Sequence, residues 1–409
     1  MITEEQNRLL THVEGDAPLG QMMRQRYWIP CARSAALVPD GAPQHVRLLG
    51  SDYVAFRATD GRIGFFDEAC PHRGASLVLA QNKDCALRCL YHAWKIDVSG
   101  TVVDIPSEGE RGEAIGARIK VNKYPTFEGG GMLWVFLGDG PPPPRPPLPF
   151  LDLDESRVWV SRSISPSNWF QGVEGTIDSV HVGTMHQSWI AQHFGKASAD
   201  KPGEGSIGLT LNTHPRYEVQ DTPYGMKAAA IRTLADGKQY VRVTSYVMPF
   251  VSLVPASGSD RTGTIFIAVP RDNTHHILFW GFWNEDGPRM ESEKQMTVGT
   301  RDPDNWVTFD EGPNRTWGQD REAMARGHFT GFTRCLVDED LVLQASQGVI
   351  QDRTKENLVS SDVGIARLRR RMLDEIAAFQ RGEPAADVPD TVRPLDTVQP
   401  ADYVWRELA

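Results

Sequence analysis

The chain has 409 residues, 40% of them hydrophobic and 23% charged, and a net charge of −10 from 43 basic and 53 acidic side chains. That length allows two or three domains with cores of their own, and the composition is that of a globular protein rather than a disordered or fibrous one. The acidic balance argues against a nucleic-acid binder, no apolar run approaches the roughly 18 residues of a membrane span, and the opening Met1-Ile2-Thr3-Glu4 lacks the basic and apolar regions of a signal peptide.

In chain order, short β-rich runs come first. His45–Leu49 and Tyr53–Arg57 read as strands, Asp60-Gly61 as a tight turn and Ile63–Phe66 as the next strand. Residues 97–103 and Met132–Leu137 continue the pattern, predicting an all-β domain over residues 1–140. The proline-rich run at 141–149 has too few N–H donors for helix or sheet. It reads as an extended linker rather than a ligand for a proline-binding module. Residues 150–409 are mixed. In Gln239–Met248, Val241, Val243 and Val247 share one face, and Tyr240, Arg242, Thr244 and Tyr246 the other. Asp236-Gly237 turns that strand back to Met226–Thr233, and Gly263–Val269 and His276–Trp283 are further strands. Ile365, Leu368, Met372, Ile376 and Phe379 recur at helical spacing, with Gly382 and Pro384 as stop signals. The second half is therefore α+β, an antiparallel sheet covered by helices. No repeat of 20–50 residues points to a solenoid or propeller.

Five cysteines, an odd number, do not make a secreted disulfide scaffold. The expectation is a soluble cytoplasmic protein whose cysteines are candidate metal ligands. Cys70-Pro71-His72 is followed after 16 residues by Cys89-Leu90-Tyr91-His92. Two thiols and two imidazoles in short loops admit a tetrahedral structural zinc or a Rieske 2Fe–2S centre, with cysteines on one iron and histidines on the other. Spacing favours the second. In Cys-x-His the middle residue points away, so its neighbours reach adjacent atoms of a binuclear cluster, whereas zinc knuckles more usually separate ligands by two to four residues. Cys85 matches no ligand position, and Cys31 and Cys335 lie far off in sequence. All three read as buried or incidental thiols.

A second group of ligand types lies in residues 168–186. Glu174, Asp178 and His181, spaced i, i+4, i+7, predict one shared helix face. His186 is out of phase with it, so the helix has to loosen near Gly183 for both imidazoles to bind one ion. Two histidines and a distant carboxylate form the facial triad of a non-haem Fe(II) oxygenase. An amphipathic helix with two hydrogen-bonded histidines is the alternative. Asp338, Glu339 and Asp340 precede an apolar stretch and offer the carboxylate, although acids also favour a helix N-terminus for dipole reasons.

Together these features resemble the catalytic α subunit of Rieske non-haem iron ring-hydroxylating oxygenases over nearly the whole chain, and within that family the phthalate dioxygenase branch. The resemblance is carried by Arg26–Pro30, Val46–Gly50, Asn168–Gln171 with Glu174–Asp178, and Gly348–Arg353 with Ser361-Asp362. Ala93 departs from it, standing where the family usually has glycine. Ala75 and Tyr91 replace the extra cysteines of respiratory-chain Rieske proteins, and Trp94 replaces their sulfide-bonding serine. Fewer hydrogen bonds to sulfur imply a low reduction potential.

The resemblance implies an all-β Rieske domain followed by a helix-grip catalytic domain. Cys70, His72, Cys89 and His92 would hold the 2Fe–2S cluster. His181, His186 and Asp340, with Asp338 in reserve, would hold a mononuclear Fe(II). Asp178 would link His92 of one subunit to His181 of the next in a head-to-tail homotrimer, alone or stacked as a hexamer. Electrons would come from NADH through a separate flavin and iron–sulfur reductase. The implied substrate is an aromatic acid, its carboxylate held by Arg242 beside Tyr240 and Tyr246, or by Arg216; a solvent-facing arginine is the alternative for each. Lys196–Gly208 reads as a mobile lid or an ordinary surface loop. The outcome is cis-dihydroxylation of an arene, or monooxygenation such as O-demethylation of a methoxylated lignin-type acid. A Rieske electron carrier without oxygen chemistry would have no second iron, and the spacing of Glu174 to His186 argues against it.

Overall fold

The structure is a computed structural model. It describes residues 2–194, 214–255, 260–288, 301–307, 311–386 and 391–400, with Lys294, Val298, Val404 and Trp405. Lys196–Gly208 falls outside the described residues.

Two helices open the chain, α1 (Glu4–Thr11) and α2 (Pro18–Arg26). Ten strands follow: β1 (Ile29–Arg33), β2 (Gln44–Leu48), β3 (Ser51–Arg57), β4 (Ile63–Asp67), β5 (Gln81–Lys83), β6 (Ala86–Arg88), β7 (Lys95–Asp97), β8 (Val102–Asp104), β9 (Thr126–Gly129) and β10 (Met132–Val135), with the short helix α3 (Gly112–Gly116) before β9. They form three antiparallel sheets, ordered β1-β10-β9, β2-β3-β4 and β5-β6-β7-β8. Residues 97–103 form a tight hairpin rather than one strand, because the Asp97 carboxylate accepts from the backbone N–H groups of Ser99 and Thr101 and folds the chain back. A separate apolar cluster built on Val54, Phe56, Phe66, Leu87 and Ile96 reaches Cys70, Cys89 and Trp94, so the two thiols rest on a packed floor.

Past the prolines the chain builds an eight-stranded antiparallel sheet from β11 (Val158–Ser165), β12 (Arg216–Thr222), β13 (Gly225–Thr233), β14 (Gln239–Val247), β15 (Val251–Pro255), β16 (Thr262–Pro270), β17 (His276–Asn284) and β18 (Leu395–Gln399). The order is β11-β17-β16-β15-β14-β13-β12, with β18 paired to the first half of β14. Residues on one face of the β13–β14 hairpin (Ala229, Ile231, Val241, Val243) pack with Trp405. The other face carries Met226, Ala228 and Tyr246 into the main core. Helices α4 (Trp169–Ile177), α5 (Val180–Thr184), α6 (Gln187–Phe194), α7 (Arg321–Ala325), α8 (Leu336–Ser346) and α9 (Val363–Gln380) complete this half. In α9, Ile365, Leu368, Met372 and Ile376 are buried as their spacing predicts.

Backbone hydrogen bonds and ion pairs are among the links that fix the halves together. The backbone N–H groups of Leu49 and Gly50, just after β2, donate to the carbonyls of Pro270 and Arg271 at 3.1 and 2.9 Å. Arg33 reaches across to Asp304 at 2.7 Å. The proline run lies extended between them, with the Trp28 indole donating to the Pro143 carbonyl.

Candidate metal centres

The Cys-x-His and Cys-x-x-His motifs sit in two loops built alike. In the first, the Cys70 N–H donates to the Ala75 carbonyl and the Gly74 N–H to the Cys70 carbonyl; in the second, Cys89 N–H donates to Trp94 and Ala93 N–H to Cys89. Each of the four bonds measures 2.8 or 2.9 Å. The fourth residue after each cysteine lies in the left-handed region, Gly74 at φ 73° and Ala93 at φ 58°. Glycine adopts that geometry freely, whereas Ala93 carries a strain of roughly 1–2 kcal/mol. The cluster loop closes despite it. The paired loops bring His72 and His92 to a ring separation of 4.4 Å, with Trp94 stacked on His72 at 4.4 Å and 6°.

These residues fit an iron–sulfur cluster. Cys70 and Cys89 are buried and unpaired in any disulfide. Burial pushes the Cys70 thiol up to about 11, so a thiolate there needs a cationic partner such as iron. The Nδ1 atom of His72 is buried with no hydrogen-bond partner, which leaves its lone pair for a metal.

The second centre forms where the first helix of the catalytic half breaks. Asn168 caps α4, accepting from the Phe170 N–H. The helix stops at Ile177, four residues short of the His181 that a shared face for Glu174, Asp178 and His181 requires. That shared face is not formed. Asp178 leaves the helix at ψ 105°. The Ser179 peptide is clamped on both sides, its N–H donating to the Tyr217 hydroxyl at 2.8 Å and its carbonyl accepting from Arg232 at 3.0 Å. Asp178 then accepts from the Val180 N–H and starts α5. Met185 and His186 occupy a turn before α6, so the loosening expected near Gly183 falls just after it.

This double break turns both imidazoles toward one carboxylate. Asp340 Oδ1 lies 3.3 Å from Nε2 of His181 and 3.3 Å from Nε2 of His186. Burial would lower the His181 pKa, but Asp178 and Asp340 outweigh it and raise it to about 10. Burial would likewise raise Asp340, and the two histidines hold it well below the usual carboxylate range. The field that favours a proton on His181 favours a divalent cation in its place, and two imidazoles with one carboxylate are a ferrous donor set.

Asp338, the reserve, lies elsewhere, buried and paired with Arg334 at 2.9 Å and Arg301 at 3.4 Å. Glu174 faces away from the triad and pairs with Arg353 and Arg369, both at 2.7 Å. The one other group with metal-ligand spacing among the described residues, His45, Asp52 and Glu68, is on the surface. Its Asp52 is already neutralised by Arg47 at 2.7 Å.

The two candidate substrate arginines separate. Arg242 is buried on the face of β14 that carries Tyr240, which packs with Val182 of α5. Its Nη1 has no hydrogen-bond partner. Arg216 pairs in register with Ile231 and so shares the opposite face. Its side chain is 60% exposed and paired with Glu218. The register of an edge strand, which local pattern does not give, turns it away from α5. Two residues near the triad escaped the sequence reading, Tyr217 and Arg232, and neither carried a local signal. Glu339 was read only as one of three acids able to supply the ligand, and it lies behind His186 instead.

Comparison with known proteins matches both halves of the chain to known families. Residues 27–125 match the Rieske [2Fe-2S] domain family, and residues 137–409 match the family described as LigXa C-terminal domain like. The chain is 37% identical to the phthalate 4,5-dioxygenase oxygenase subunit of Pseudomonas putida, covering 100% of this chain and 94% of that one. It is 30% identical to the 3-chlorobenzoate-3,4-dioxygenase oxygenase subunit of Comamonas testosteroni, covering 93% and 90%. The 5,5'-dehydrodivanillate O-demethylase oxygenase subunit of a Sphingobium species is 27% identical over 94% of this chain and 82% of its own. Among solved structures, dicamba monooxygenase bound to dicamba superposes with a TM-score of 0.60 at 16% identity, covering 88% of this chain and 99% of that one. The terminal oxygenase of carbazole 1,9a-dioxygenase from Novosphingobium sp. KA1 gives 0.56 at 20%, covering 90% and 96%. With a Rieske domain ahead of a domain carrying a ferrous donor set, and relatives matched over most of their lengths, this chain belongs to the Rieske non-haem iron oxygenases as a terminal oxygenase component.

Proposed function

We propose that this oxygenase acts on a carboxylated, phthalate-like aromatic by dioxygenation. In this reading Cys70, His72, Cys89 and His92 hold the cluster in a Rieske domain over residues 1–140. A linker at 141–149 joins it to the catalytic domain at 150–409, where His181, His186 and Asp340 hold the ferrous ion. When bound, the cluster relays single electrons and the ferrous ion activates dioxygen. Asp178 orients His181 through Nδ1, 3.3 Å away. The observation that carries the substrate class is Arg242. A buried guanidinium N–H without a partner is costly, and a substrate carboxylate would satisfy it with a charge-assisted bond. The names of the Pseudomonas and Comamonas relatives, for phthalate and 3-chlorobenzoate, are those of aromatic acids. O-demethylation of a methoxylated aromatic acid is the second reading, favoured by the Sphingobium relative. Which substrate carbon faces the metal decides between them.

One feature supports electron delivery from NADH through a separate flavin and iron–sulfur reductase. Every pairing between the named strands is antiparallel, so they form no parallel βαβ unit of the kind that binds a dinucleotide. Five unpaired cysteines suit the cytoplasm, and no helix among the described residues is long and apolar enough to cross a membrane.

The test is oxygen uptake with a promiscuous reductase, comparing benzene carboxylates with their amides, followed by product analysis. A diol identifies dioxygenation and formaldehyde identifies demethylation. Arg242→Met is expected to raise KM for the acid by roughly 10- to 100-fold, the worth of a hydrogen bond to a charged group, and to leave the amide's KM unchanged. An unchanged KM for the acid refutes the clamp.

A further inference from the structure

Glu339 immediately precedes Asp340 on α8, so its side chain leaves the helix about 100° around from the ligand carboxylate. It lies behind His186 instead of beside the triad. Its residue is wholly buried. One carboxylate oxygen accepts from Nδ1 of His186 at 2.6 Å, and the other accepts from the Thr330 hydroxyl. Both oxygens are therefore fixed. With its proton held on Nδ1, His186 presents the lone pair of Nε2 on the side where Asp340 lies. His181 is arranged in the same sense by Asp178, but that carboxylate is 32% exposed.

We propose that Glu339 is a positioning residue for the ferrous ion, fixing the tautomer and ring plane of His186 from inside the protein. The inference rests on His181, His186 and Asp340 being the iron ligands. The two outer carboxylates then have different roles. Glu339 is sealed by Thr330 and serves retention of the metal, while Asp178 stays open to a partner. Thr330 belongs to the same device, because without its hydroxyl one oxygen of Glu339 is left buried and unpaired.

The experiment is anaerobic titration of the purified holo-cluster protein, stripped of mononuclear metal, with Fe(II) and separately with Co(II). The dissociation constant and the visible bands of the Co(II) site are read out. Glu339→Ala is expected to weaken binding by roughly 10- to 100-fold and shift the Co(II) bands. Glu339→Gln keeps an oxygen that accepts from Nδ1 and is expected to recover most of the affinity. Unaltered Rieske absorbance in both variants shows that the fold persists. Wild-type affinity in Glu339→Ala overturns the proposal, and so does Gln binding as weakly as Ala. His181→Ala separates this from the reading beneath it. If that variant keeps wild-type affinity, the ligand assignment fails; if it loses the metal while Glu339→Ala keeps it, only the role of Glu339 fails.

Discussion

His276 opens β17 with Nδ1 donating to the Ser167 carbonyl at 2.8 Å, its ring enclosed against Gly172 of α4 and its Nε2 without a hydrogen-bond partner. Burial lowers its pKa to about 4, and the bond to Ser167 only partly offsets this. The unfolded chain therefore takes up a proton near pH 6.5 that the folded chain refuses until about pH 4. The sign follows: the contribution to stability is complete above pH 6.5 and is lost as pH falls toward 4. Between pH 7 and 5 that amounts to about 2 kcal/mol. His276→Asn keeps a donor for Ser167 and cannot titrate, so its urea midpoint is expected to fall less than that of the wild type over the same range. Equal pH slopes for the two proteins would show that His276 is not a source of acid sensitivity. Glu339 and His276 illustrate opposite uses of burial. One holds a histidine's proton in place for a metal; the other keeps a histidine neutral beside α4, the helix that leads into Asp178.

Helix α4 is held at each turn by chain distant in sequence. Asn168 donates to the carbonyls of Thr11 and Asn273, and Gln171 donates to Gln344 and Gly348 and accepts from Gln351. Gly172 lets the helix sit close on β16, where a Cβ would meet that of Ala268 at 3.0 Å. Glu174 accepts from both Arg353 and Arg369, and Arg369 is held in turn by Glu356. Burial would raise the Glu174 carboxyl, but the two guanidinium groups hold it below its ordinary value. Removing the acid leaves two cations buried with one fewer partner. Glu174→Ala is expected to cost roughly 3–5 kcal/mol, the penalty for breaking a buried pair from one side, read as a lowered denaturation midpoint with early loss of mononuclear iron. A loss below about 1 kcal/mol would mean that the arginines find other partners. The network also explains how much was legible in the sequence. The alternation of β14, the helical period of α9 and the paired Cys/His loops are local patterns and appear as read. The break at Asp178 was not legible, because the residues that clamp it, Tyr217 and Arg232, lie on strands whose approach depends on the whole sheet. Nor was the partner of Glu174, since an ion pair 179 residues apart leaves no period. Asn168–Gln171, Glu174–Asp178 and Gly348–Arg353, separate stretches in the chain, are clasped together in space.

At the scale of the whole molecule the two centres pose a problem of distance and exposure. His92 makes no hydrogen bond or ion pair to the catalytic half among the described residues, and beside it Leu90 and Tyr91 are 61% and 59% exposed. On the catalytic half Val359 and Val363 are also exposed. Val363 adjoins Gly364, which packs on Ile177, the residue before Asp178. An apolar tip on one half and an apolar rim beside a partly open carboxylate on the other suit a head-to-tail contact between copies, and a heterologous contact that closes makes a ring. Under that arrangement Asp178 of one subunit receives His92 of its neighbour, and sedimentation is expected to give three chains or a multiple of three. Asp178→Asn tests the bridge without disturbing the helix start, because the amide oxygen still accepts from the Val180 N–H. The variant is expected to keep its cluster and its mononuclear iron. Mixed with substrate and oxygen after chemical reduction, it is expected to reoxidise the cluster at least 100-fold more slowly than wild type, a loss of about 3 kcal/mol in the transfer barrier. Hydrogen peroxide, which brings its own oxidising equivalents, should restore product in the variant if the iron site itself is intact. Cluster reoxidation at the wild-type rate would place the electron path elsewhere, and failure of peroxide to restore product would place the damage in the iron site rather than in the bridge.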